Sequence, residues 1–175
     1  MPRHHIQVRV FPAYRTMVPL AWLRKVAAEA MAMGGLERSA GAGVVIADDD
    51  TLRDLTRRFR GLDEVPDVLS FGSAAESAGE SLEPGAGPQN VPIFPDVPAE
   101  DATLGEVIVS HPQAVRQAME HGWAVERELA LLVVHGILHL LGHDHAEPEE
   151  EAVMQGLEGK ALGLLYPVES AGPRR

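Results

Sequence analysis

Residues 135–145 read HGILHLLGHDH. His135 and His139 stand four positions apart, and at about 100° per residue a helix puts both imidazoles on one face, one turn apart. Gly142 follows, and glycine takes the left-handed conformation that stops a helix without a Cβ clash. The chain is expected to turn there, which lets His145 swing back toward the other two. Three neutral imidazoles on one point are a ligand set for a catalytic zinc ion, with a fourth position open to water or substrate.

The plain alternative is three unrelated histidines. The stretch that carries the first two, ELALLVVHGILHLL (128–141), is otherwise apolar. Histidines in so apolar a helix need a partner, and a metal gives them one. Zinc is the first candidate for nitrogen-only ligands; nickel, copper and cobalt also accept them. The spacing H-x-x-x-H-x-x-G-x-x-H is that of metzincin proteases, which carry Glu after the first His as general base. Here that position is Gly136. Glycine neither takes a proton nor orients a water, so the metal pattern is kept and the usual protease chemistry is lost.

The 175 residues are 45% hydrophobic, enough for one domain with a core. With no cysteine, metal ligation falls to His and carboxylates. No apolar run has membrane-spanning length, and MPRHHIQVRV lacks the features of a signal peptide. A cytoplasmic location, with no membrane partner, is the expectation. The formal net charge of −11 argues against nucleic acid at first sight. Between residues 61 and 115, however, lie ten of the 26 acidic residues and no Lys or Arg. The acidity is concentrated there, which leaves room for a positive surface elsewhere.

Outward from the metal stretch, the remaining elements follow from periodicity. Strands are expected at 5–10, 43–49, 67–71 and 104–110, the second internal in a sheet. Helices are expected at 19–33, stopped by Gly34-Gly35; from an Asp49 or Asp50 cap to about Arg60; and from Pro112 to His121-Gly122. Two more are expected at 125–141, buried nearly all round, and from the acidic run 147–151 to about Leu165. His4 and His5 read as exposed end residues, and His121 as a helix-dipole partner and no more. His111, where strand meets helix, is a possible site neighbour. Residues 72–103 are rich in Gly, Pro, Ser, Ala and Glu and read as a flexible acidic loop. The expected fold is α+β: one domain over 1–175, a mixed four-stranded sheet with helices packed on it.

Arg53, Arg57, Arg58 and Arg60 cluster on one helix and its exit. A solvated, salt-bridged face is the ordinary reading for such a run. Arg60 stands apart, because FRGLDEVPDVLSF leads from it through a turn into what reads as a central strand. An Arg at such a junction offers a bidentate fork to a phosphate. RNA is expected on the Arg53–Arg60 side, with the acidic loop kept away from the strand or gating it.

HGILHLLGHDH resembles the signature of the YbeY family, bacterial metal-dependent endoribonucleases of rRNA maturation. FRGLDEVPDVLSF is similar to the family's Tyr-Arg stretch leading into Asp-Val-Leu-Ser-Phe, LGEVIVS to its Leu-Gly-Asp-Ile-x-Ile-Ser strand, and Met154 sits where the family has Met. The resemblance implies zinc on His135, His139 and His145, a catalytically important Arg60, and a fold related to the zincins. It implies a single-strand-specific endoribonuclease of the 3′ end of small-subunit rRNA and of ribosome quality control, acting on RNA rather than DNA. Phe59 replaces the family's Tyr, Val65-Pro66 its Pro-Thr, His143 an aromatic residue and Gly72 a Pro. Asp144 is expected either to accept a hydrogen bond from a ligand imidazole or to cap the turn. His143 reads as a spare imidazole or as a packing residue. Two other classes remain at this stage: a zinc metalloprotease-like hydrolase with a displaced carboxylate as base, and a ribosome-associated module with structural zinc.

Overall fold

The computed structural model describes residues 3–72, 102–143 and 146–165. Most of the expected acidic loop, and both Asp144 and His145, lie outside these residues.

Four strands form one mixed sheet in the order β1-β2-β4-β3. Strands β1 (His5–Val10), β2 (Ala40–Ala47) and β4 (Ala102–Ser110) run parallel, and β3 (Val68–Gly72) pairs antiparallel with β4. All eight residues of β2 are buried, as expected for an internal parallel strand. It begins three residues before the expected start. Ala40, Gly41, Ala42 and Gly43 carry too little side chain to show a strand pattern, yet pair fully with β1 or β4. β3 is an edge strand, not the central one that its apolar sequence suggests.

Alternation divides the sheet residues between two layers. On one face Val10, Val44, Ile46, Val107 and Val109 join α1 (Leu20–Met33), α4 (Val125–Leu140) and α5 (Pro148–Leu165) in the main core. On the other, Val45, Ala47, Leu69 and Ile108 meet Leu52 and Leu55 of α2 (Asp49–Arg60). The remaining helix, α3 (His111–His121), packs against α4.

The helix ends show how sequence sets these elements. Of three consecutive aspartates, Asp48 is the cap of α2: its side chain accepts from Thr51 N at 2.9 Å. Asp49 and Asp50 lie in the first turn, where their charge suits the helix dipole. Asp49 also accepts from Ser110 Oγ at 2.7 Å and from Arg116, tying α2 to α3. Burial raises its carboxyl pKa, but those two hydrogen bonds prevail and hold it below the ordinary value of 3.8.

Glu128, only 1% exposed, fixes the turn between α3 and α4. It accepts from Trp123 Nε1 at 2.6 Å and pairs with His121 Nδ1 at 2.9 Å. His121 is therefore more than a dipole partner, because its ring pairs with a buried carboxylate. His4 is half-buried, with burial lowering its pKa, so only His5 of the terminal pair is exposed as expected. His111 is buried and stacks on Tyr14, ring centroids 4.5 Å apart.

Candidate metal centre

α4 carries the site and is held on every side. It packs against α1, α3, α5, β3 and β4, and ten of its sixteen residues are buried. Its register puts Gly136 against the sheet and leaves the His135 and His139 rings half-exposed. A Cβ on Gly136 would lie 3.0 Å from Val107 Cγ2, 3.2 Å from Ser70 Oγ and closer still to Val107 Cγ1. Ser70 Oγ donates to the Gly136 carbonyl at 3.1 Å, a contact between the edge strand and α4. The residue that removes the protease base is thus also the one that lets α4 sit on β4.

The helix stops as the sequence requires. Gly142 has φ +93°, its N–H reaches His139 O at 3.0 Å, and His143 N–H reaches Leu138 O at 3.0 Å. These two bonds make a Schellman turn. His143 spends its backbone N–H on this turn.

His135 and His139 meet. Their Nε2 atoms are 3.0 Å apart, and their rings cross at 73° with centroids 4.6 Å apart. His135 Nδ1 lies 2.6 Å from Glu158 Oε1 of α5, and so donates to that carboxylate. A neutral ring with its proton on Nδ1 keeps a lone pair on Nε2. Two nitrogens bound at 2.0–2.1 Å in a tetrahedron stand about 3.3 Å apart. The observed separation is close to that, so the pair fits two adjacent ligand positions of one metal ion. Among the described residues no group of three His, Cys, Asp or Glu side chains gathers to hold an ion. The expected third ligand, His145, is outside those residues.

Sequence reasoning missed Glu158. The signal was there: Met154, Leu157, Ala161, Leu162 and Leu165 form the inward stripe of α5, and Glu158 stands within it. A carboxylate in an apolar stripe needs a partner, and here the partner is a candidate ligand.

Arg60 lies elsewhere. It is the last residue of α2, exposed, in the layer on the opposite face of the sheet from α4. The other three arginines are engaged. Arg53 and Arg57 both bind Asp63, at 2.8 and 2.7 Å, and Arg58 pairs with Asp54 at 3.1 Å. Arg57, then Arg53, hold the Asp63 carboxyl below its ordinary pKa. The Arg60 guanidinium makes no hydrogen bond or ion pair with a described residue, so its donors remain available. Beside it, Phe59 packs edge-on against Phe71 of β3 at 5.3 Å.

A mixed α+β sheet with a histidine pair on a buried helix defines a class of candidate metal-binding enzymes. Comparison with known proteins narrows it. Residues 16–165 match the family model described as Endoribonuclease YbeY. An Endoribonuclease YbeY of Dehalococcoides mccartyi is 38% identical over 164 residues, covering 91% of this chain and 90% of the relative. One from Moorella thermoacetica is 38% identical over 146 residues, covering 79% and 86%. One from Roseiflexus sp. is 36% identical over 161 residues, covering 91% and 92%. The solution structure of TM1509 from Thermotoga maritima covers 96% of both chains with a TM-score of 0.56 at 21% identity, a likeness of fold. This chain belongs to the endoribonuclease YbeY family.

Proposed function

We propose that this protein is a metal-dependent endoribonuclease that cleaves single-stranded RNA in rRNA processing, at the 3′ end of the small-subunit rRNA. The observation that carries the metal part is the 3.0 Å approach of the His135 and His139 Nε2 atoms, one turn apart on a buried helix that ends in a glycine turn. In this reading His135, His139 and His145 hold one zinc ion. When bound, zinc supplies Lewis acidity toward a phosphoryl oxygen and lowers the pKa of water near it.

The chain's own residues do the rest. The Glu158 carboxylate keeps the His135 proton on Nδ1. Arg60, the one arginine of its cluster not engaged by a carboxylate among the described residues, grips a phosphate of the substrate strand and offsets charge that grows in the transition state. The RNA crosses the β3 edge, which separates the Arg60 layer from the histidine layer. The whole chain acts as one cytoplasmic domain, works on the small ribosomal subunit and takes part in ribosome quality control. No helix among the described residues is long and apolar enough to cross a membrane.

The test is cleavage of a labelled single-stranded RNA and of a casein-like protein, with and without chelator, by wild type and His139→Ala. Chelator-sensitive cleavage of RNA alone, lost in a folded His139→Ala, is the expected result. Cleavage of casein but not RNA would replace the nuclease with a protease. RNA cleavage that survives chelation would remove the metal from the mechanism.

A further inference from the structure

Glu158 sits where a carboxylate costs free energy. Its side chain is 13% exposed, on the stripe of α5 that also carries Met154, Ala161 and Leu162. An ionised carboxylate there loses hydration that only a strong partner offsets. The partner is His135 Nδ1 at 2.6 Å. An apolar residue at 158 would continue the stripe and serve the core better, so the reason for a glutamate lies in what it does to His135.

Half-exposed imidazoles have two neutral tautomers and rotate about χ2. Only one combination turns a bare Nε2 toward the His139 Nε2. A carboxylate on Nδ1 selects that tautomer and that ring angle. Since Glu158 comes from α5 and His135 from α4, docking of the last helix completes the site.

We infer that Glu158 is the positioning residue of the metal centre: through Nδ1 of His135 it fixes the ligand's tautomer and orientation, and it sets the affinity for zinc. This rests on the metal reading above.

Three proteins freed of metal test it: wild type, Glu158→Leu and the near-isosteric Glu158→Gln. Zinc affinity is read by competition with a chromophoric chelator, and apo-protein stability by thermal melting. Glu158→Leu is expected to bind zinc about 10–100-fold more weakly, while its apo form melts at or above the wild-type temperature. Glu158→Gln, which keeps an acceptor oxygen, should fall between. Nitrogen NMR of wild-type apo-protein should show the His135 proton on Nδ1. Equal zinc affinity in the folded variants, or a proton on Nε2, overturns the proposal. If Glu158→Leu does not fold, the Gln variant and the tautomer decide. A wild type that binds no zinc sinks the metal reading itself; a wild type and Glu158→Leu that bind it alike sink only the role of Glu158.

Discussion

Val107 of β4 occupies the space that any side chain on Gly136 of α4 would need. The two residues meet face to face, and Ser70 closes the contact from the edge strand. Gly136→Ala should therefore cost about 1–3 kcal/mol through overpacking. Adding Val107→Ala should recover part of that loss, a coupling visible in a double-mutant cycle of urea melts. Strict additivity would mean that the helix and sheet do not touch there.

Glycines at 142 and 156 should respond in opposite directions. Gly142 holds φ +93° in the turn that ends α4, so Gly142→Ala should cost about 1–2 kcal/mol. Gly156 lies exposed within α5, and a Cβ there meets nothing within 4 Å. Gly156→Ala should add up to about 1 kcal/mol. Thermal melts of the two variants check both signs.

Arg60 and Arg57 are close in sequence and differ in engagement. Arg60→Ala should lower RNA cleavage by about 10²-fold or more with an unchanged melting temperature. Arg57→Ala, which removes a residue already spent on Asp63, should stay near wild type. Steady-state kinetics on one single-stranded substrate separates them. Equal losses would point to general charge attraction instead of a phosphate clamp.

Asp49 links stability to pH. Its folded pKa lies below the ordinary 3.8, so the carboxylate stabilises the fold at pH values above that. The contribution disappears as pH falls from 3.8 through the lower folded value. Asp49→Asn should then be less stable than wild type by about 1 kcal/mol at neutral pH, and the gap should narrow toward pH 3. Urea melts at several pH values follow the gap; one that stays constant would deny the linkage.

Much of this architecture was readable from the chain because its signals are local. α4 announces itself by histidines at helical spacing and a stop glycine, and β1 and α1 by periodicity and flanking residues. What escaped depends on partners far away in sequence. DVLSF looks the same at an edge as at the centre, since strand order is decided by pairing with residues 105–109. Three aspartates in a row differ only in which side chain reaches Thr51 N. Glu158 is 23 positions from His135, and only the docking of α5 on α4 brings them together. The YbeY resemblance pointed to the family that the comparisons establish, while the metal, its three histidine ligands and the role of Arg60 belong to the proposal.

Because α4 is wrapped by three helices and two strands, its amides should be among the last to exchange with deuterated solvent. The two imidazoles thus ride on a helix buried along most of its length. Their backbone cannot shift toward a substrate without unmaking the core, so larger adaptation falls to the incoming strand and to other segments of the protein. Their supporting helix behaves as an anvil, which holds the two Cα positions one turn apart while Glu158 sets the angle of the His135 ring.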